Sequence, residues 1–164
     1  MKIFTKIILL FVVSLLLSQV AFAQLKSVKM PAVEKIIQEK GDKILILNVW
    51  ATFCKPCVEE IPTFIKFAQA HNDVQLVFLS LDIKDAFPKI VSQYIDKLKM
   101  TATNLWLNET DADYFVPKLD ENWSGAIPAS LIINTATGAR KFVDGEMSEA
   151  ELNEAYDLIK SSKY

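Results

Sequence analysis

Only two cysteines occur in these 164 residues, and they stand close together as Cys54 and Cys57. Histidine occurs once, at His71. A zinc site needs about four ligands, so two thiols and one imidazole fall short without added carboxylates. Covalent c-type haem needs a histidine directly after the second cysteine, and that position holds Val58. Basic runs and basic–aromatic interleaving are also missing, which argues against a nucleic-acid partner. There is no internal repeat, low-complexity tract or interdomain linker. One domain of ordinary size, large enough for its own core, accounts for the length.

The longest apolar stretch is at the N-terminus. Ile7 to Leu17 is broken only by Ser14, follows Lys2 and Lys6, and precedes Ala21-Phe22-Ala23. A positive start, an apolar middle and a small-x-small end make a secretory signal, with cleavage leaving a chain that begins near Gln24. The stretch is well short of the roughly 20 residues of a membrane span. No cysteine follows it, which excludes lipid attachment there. The expected organisation is therefore a cleaved signal over 1–23 and one domain over 24–164, soluble after cleavage and periplasmic or otherwise exported. Without Lys2 and Lys6, 16 basic residues face 20 acidic ones, a formal charge of −4.

Disulfides persist outside the cytoplasm. A bridge from Cys54 to Cys57, however, closes so small a loop that it constrains the unfolded chain very little. Stabilisation is a poor explanation for the pair. It sits between a strand-like run, Ile44 to Val49, and a helix-like pattern, a position suited to a redox-active dithiol.

Strand and helix patterns alternate along the chain. Pro31 to Lys40 reads as a helix with Ala32, Val33, Ile36 and Ile37 on one face. Lys43 to Val49 reads as a strand covered on both faces, because its apolar run is continuous. Cys57 to about His71 reads as a helix bent by Pro62. Val74 to Leu81 is a strand. Ala86 to Lys99 is a helix with Ile90, Val91, Tyr94, Ile95 and Leu98 inward. A short strand over 104–107 and a short helix over 111–119 follow. Ala129 to Asn134 and Arg140 to Val143 pair across Thr135-Ala136-Thr137-Gly138 as a hairpin. Glu149 to Ile159 is a closing helix, with Ser148 and Glu151 placed for a capping box. Such alternation implies an α/β layered sheet, made mixed by the hairpin.

Three blocks together resemble the thioredoxin superfamily: Trp50-Ala51-Thr52-Phe53-Cys54-Lys55-Pro56-Cys57, the helix proline Pro62, and Gly125-Ala126-Ile127-Pro128. Within it they are most similar to the TlpA/ResA-like exported thiol–disulfide oxidoreductases. Asn48 stands six residues before the first cysteine, where thioredoxin carries a buried Asp. Glu60 stands three after the second, where ResA-like proteins carry a functional Glu. Thr52 in the lead-in points to the same branch. The resemblance covers residues 30–160. It implies a thioredoxin-like α/β fold with a central mixed β-sheet flanked by helices. The separation of 74 residues between Cys54 and Pro128 leaves room for an inserted strand–helix unit, which takes about 30.

The resemblance also assigns roles. Cys54 is the nucleophile, at a helix start where free N–H groups, the dipole and Lys55 favour a thiolate. For a thiol whose pKa falls from about 8.5 to about 7, the thiolate fraction at neutral pH rises about 16-fold. A Brønsted slope near 0.45 returns about fivefold of that as lost nucleophilicity. Stability as a leaving group, and a second thiol placed to resolve the mixed disulfide, therefore matter more than ionisation. Cys57 is that resolving thiol. Glu60 shares its helix face at i+3 and is expected to help remove its proton. Read from the residues alone, Glu60 is also a plain first-turn acid favoured by the dipole, as Glu59 is read. Pro128 is expected to be cis and to lie against the first cysteine. Ile127 offers backbone groups to an extended partner segment, a form of strand addition. Lys55, Pro56 and Trp50 complete the expected partner-contacting set. Trp50 and Phe53 are open between rim and core, and His71 reads as a solvated helix end. No metal and no cofactor beyond a redox-active Cys54–Cys57 disulfide is expected.

The expected function is reduction of disulfides in partner proteins by an exported oxidoreductase. Lys55 and the helix start stabilise the reduced form and oppose this direction. Glu60 favours it, and the Lys-Pro dipeptide resembles reducing members of the family. The family implies partners with thiols or disulfides, a membrane electron donor of thiol-reductase type, and cytochrome c maturation as one setting; the domain is expected to be a monomer. Rival functions are a disulfide oxidase or isomerase, a peroxiredoxin-like peroxidase, and a thioredoxin-fold binding module with secondary redox activity. The peroxidase's Pro-x-x-x-Thr/Ser-x-x-Cys lead-in lacks its proline here.

Overall fold

Backbone geometry resolves the alternating pattern into strands and helices in a computed structural model that describes residues 25–162. The expected signal over 1–23 lies outside these residues. The order is β1 (Leu25–Val28), α1 (Met30–Gln38), β2 (Ile44–Trp50), α2 (Lys55–Ala70), β3 (Val74–Ser80), a 3-10 turn (Lys84–Ala86), α3 (Lys89–Leu98), β4 (Thr103–Leu107), α4 (Ala112–Leu119), β5 (Ala129–Asn134), β6 (Arg140–Asp144) and α5 (Glu149–Ser161). None of these helices is long and apolar enough to cross a membrane.

The sheet order is β1-β4-β3-β2-β5-β6. The first four strands in that order run parallel, and β5 and β6 run antiparallel to their neighbours. The inserted unit expected between the cysteine-bearing helix and Pro128 is present: α3, β4 and α4 intervene in sequence, and β4 slots between β1 and β3. All seven residues of β2 are buried, as a strand covered on both faces requires. Alternation splits them. Ile44, Ile46 and Trp50 join Phe78 and Ile132 against α2, α3 and α5, where Ile61, Phe64, Val91, Ile95 and Leu152 meet them. Leu45, Leu47 and Val49 join Val77 and Leu131 against α1 and α4, through Met30, Val33, Phe115 and Leu119.

Two elements differ from the sequence reading. β1 is a strand that Leu-Lys-Ser-Val does not announce, since it lacks an apolar run. It exists through parallel pairing with β4. The helix expected over 86–99 is divided. A residue before proline is driven from helical to extended backbone, and Phe87 is extended ahead of a cis Phe87–Pro88 bond. The helix thus begins at Lys89, and its inner stripe is set by Val91 and Ile95. Ile90 falls outside that stripe and is exposed. Ser148 and Glu151 form the expected capping box.

Opposite the cysteine end, α2 and α5 are fastened together. His71 is half-buried rather than solvated, stacked on Phe67 at 4.1 Å and packed against Tyr156 at 4.7 Å. Tyr156 donates its hydroxyl to Asp73, which also pairs with Lys160 at 2.8 Å. Hydrogen bonding from Lys160 holds the Asp73 carboxyl below its usual range.

Phe78 lies within β3 and is fully buried. Phe78→Ala is expected to cost about 3–5 kcal/mol, measured as a shift of the urea midpoint at unchanged slope.

Candidate active site

The site is built where β2 ends. Trp50 closes the strand, and the chain turns through Ala51-Thr52-Phe53 into α2. Thr52 is held by Asp82, beyond β3. Its amide donates to both carboxylate oxygens at 3.1 Å and its hydroxyl to Oδ1 at 2.5 Å. Ser80 donates to the other oxygen at 2.8 Å. Asp82 is buried, and these hydrogen bonds satisfy it. The turn reaches Cys54 with its backbone extended, and Cys54 becomes the N-cap of α2. Its Sγ accepts from the Cys57 N–H at 3.3 Å, and Lys55 and Pro56 open the helix. The helix therefore starts two residues before the expected Cys57, because the first sulfur performs the capping normally done by an oxygen.

A disulfide joins Cys54 and Cys57, whose Cα atoms are 5.3 Å apart. Cys54 is 8% exposed and Cys57 0%. The first cysteine thus keeps a little exposure and the second none, an asymmetry that suits an attacking and a resolving thiol. Lys55 and Pro56 are both exposed beside it. The Lys55 ammonium lies 3.6 Å from Glu59, so its charge is partly offset. Phe53 is 70% exposed and stands at the rim. Trp50 corrects the expectation: it is 1% exposed, so its side chain is core and not rim. It is a residue of β2 pointing at α2, and strand alternation leaves it no outward choice.

Glu60 is also buried, one turn beyond Cys57. Asn48 Nδ2 donates to its Oε1 at 2.7 Å, and the Met147 N–H donates to its Oε2 at 2.8 Å. Burial pushes the Glu60 carboxyl up to about 7 from 4.5. The two donors pull against this rise, and the nearby charge of Glu146 adds to it. The reading of Glu60 as a plain surface acid does not survive this burial. A carboxyl poised near neutrality can take or give a proton at physiological pH.

The loop before β5 carries the expected proline. The Ile127–Pro128 bond is cis. Pro128 is buried, and Ile127, half-buried, packs against the apolar cluster that holds both cysteines. Gly125 precedes them at φ +86°, a left-handed turn that other residues rarely adopt. Trp123 donates its indole N–H to the Ala126 carbonyl at 2.8 Å. From the other side, the Gly145 N–H donates to the Pro128 carbonyl at 2.9 Å. Sequence reasoning did not single out Asp82, Ser130, Trp123, Gly145 or Met147. All but Trp123, which bonds within its own loop, act across a sheet or loop contact far away in sequence, and no local pattern marks such contacts.

A sequence model of the thioredoxin-like family matches residues 41–138. Sporulation thiol-disulfide oxidoreductase A of Bacillus subtilis is 28% identical over 120 residues, covering 72% of this chain and 68% of the relative. Thiol-disulfide oxidoreductase ResA of Halalkalibacterium halodurans is 24% identical over 128 residues, covering 76% and 66%. The crystal structure of StoA from Bacillus subtilis aligns with a TM-score of 0.55 at 27% identity, covering 72% of this chain and 84% of that one. The chain belongs to the thioredoxin-like family, and it is a thiol–disulfide oxidoreductase similar to the ResA and StoA proteins.

The Glu60 environment has a consequence for stability. The folded protein binds this proton more tightly than the unfolded chain, so its contribution is fully present below about pH 4.5. It is lost as pH rises to about 7. At about 1.4 kcal/mol per pH unit the loss is on the order of 3 kcal/mol. Glu60→Gln is expected to remove that fall, so thermal melts of oxidised protein at pH 5 and pH 8 differ less in the variant than in the native chain.

Proposed function

We propose that this protein is an exported reductant of disulfides in partner proteins, cytochrome c precursors among them. The Cys54–Cys57 pair is its redox centre, and a membrane donor of thiol-reductase type returns the electrons. In the reduced protein the Cys54 thiolate attacks a partner disulfide, releasing one partner thiol and leaving a mixed disulfide. The Cys57 thiol gives its proton to Glu60, and the resulting thiolate attacks the Cys54 sulfur. The second partner sulfur departs as a thiolate and is protonated. The dithiol has lost two electrons and the partner disulfide has gained them. Ile127 and Pro128 offer the edge along which an extended partner segment lies, with Phe53, Lys55 and Pro56 around it.

The observation that carries the direction is the charge around the first turn of α2. Lys55 is exposed and drawn toward Glu59, whereas Glu60 is buried on the Cys57 side. Strong oxidants of this chemistry owe their potential to a stabilised reduced form. Here the Lys55 charge is offset by Glu59, and Glu60 is a buried acid one helical turn beyond Cys57; a negative charge there disfavours thiolate and makes the dithiol easier to oxidise. Equilibration with glutathione or dithiothreitol buffers is expected to give a potential below about −250 mV, whereas a value close to the about −120 mV of a strong oxidant reverses the direction. Cys57→Ser is expected to accumulate a mixed disulfide with an oxidised partner protein, visible by intact mass, and Cys54→Ser to form none.

A further inference from the structure

Asn48 is a fully buried polar residue in a strand of Ile, Leu and Val. Its side-chain N–H groups donate to Glu60 Oε1 at 2.7 Å and to the Ser130 hydroxyl at 3.2 Å. Its carbonyl oxygen has no hydrogen-bond partner among the described residues. A buried amide oxygen left unpaired is destabilising, and only what the N–H groups do offsets it. Turned over, the amide would aim that oxygen at the Glu60 carboxylate and repel it. That repulsion favours the amide orientation with its N–H groups toward Glu60, and Ser130 adds an acceptor to the same orientation. Ser130 stands directly opposite Asn48 across the β2–β5 pair, and its hydroxyl takes the second N–H.

We propose that Asn48, oriented by Ser130, is the positioning residue that keeps buried Glu60 able to take the Cys57 proton. This rests on the dithiol chemistry proposed above and adds the device that makes its proton step work. The proton passes from Cys57 Sγ to a Glu60 carboxylate oxygen. The electron pair left on sulfur forms the bond to Cys54, and the partner sulfur leaves with the pair of the bond that breaks. Glu60 must therefore be ionised before the step, inside a site that opposes ionisation.

The groups around it do little else to help. On α2, Glu59 is exposed and turned to Lys55. The β6–α5 loop brings Glu146, whose charge opposes ionisation. Ser130 of β5 is uncharged. Among the described residues no cation contributes, and the groups that favour the carboxylate are the Met147 amide and Asn48. The Met147 amide is backbone. Asn48 is thus the side chain through which this balance is set.

The test is a carbon-13 NMR titration of the Glu60 carboxyl in the oxidised protein. It is paired with the pH profile of glutathione release when reduced protein reacts once with glutathione disulfide. In Asn48→Ala the Glu60 midpoint is expected to rise by about one pH unit, with roughly tenfold slower release well below the native midpoint. Ser130→Ala is expected to move both in the same direction by less. A purely structural role for Asn48 would lower the melting temperature and leave both midpoints in place, and that result in Asn48→Ala overturns the proposal. Should Asn48→Ala fail to fold, an unmoved Glu60 midpoint in Ser130→Ala overturns it instead. If the native protein exchanges no thiols, the proposed function fails, while the carboxyl titration still decides the role of Asn48.

Discussion

The constraint on which the rest depends is the double burial of β2. A strand with no exposed residue has one register and one direction, because any slip would drive its side chains into the wrong layer. Its last residue is therefore delivered to a fixed point, with Trp50 locked beneath α2. From there Ala51, Thr52 and Phe53 carry the chain to the helix start, so Cys54 inherits its position from the core. The Asp82 clamp on Thr52 ties this short connection to β3, the strand beside it. The reactive sulfur rests on a scaffold whose stability is hydrophobic and whose precision is polar.

Most of the buried polar side chains lie toward that same end of the sheet. Asn48, Ser80, Ser130, Asp82 and Glu60 all sit in or next to the layer between the sheet and α2. Dry layers are normally filled by aliphatic groups, and polar atoms there destabilise unless paired. Here all but the Asn48 carbonyl oxygen are paired, across β2, β3, β5 and α2. At the opposite end the tyrosine, histidine and lysine contacts of α2 and α5 fasten the helices together near the surface. The fold is thus apolar through its middle, with a buried hydrogen-bonded network concentrated beneath the cysteines.

Much of this was legible in the sequence. Continuous apolar runs gave the central strands, Ser148 with Glu151 marked the last helix, and Cys54 and Cys57 marked the reactive turn. The family resemblance supplied Asn48, Glu60, Ile127 and Pro128 as residues to watch. What was hidden is what tertiary pairing decides. Leu25–Val28 has no strand pattern of its own and takes its form from β4. Trp50 was balanced between rim and core until strand alternation pointed it inward. Phe87-Pro88 did carry a legible boundary, since the backbone rule for residues before proline applies there, but the apolar spacing of the following residues masked it. Asp82 and Met147 meet their partners across 30 and 87 residues of sequence, a distance no local period spans.

The short connection from β6 into α5 joins two things that the sheet keeps apart. Its Gly145 amide grips the carbonyl of Pro128, and two residues on the Met147 amide grips the carboxylate of Glu60. One short loop thus holds both the backbone of the cis proline and the buried carboxylate, so a displacement of either is shared with the other through two hydrogen bonds and the residues between them.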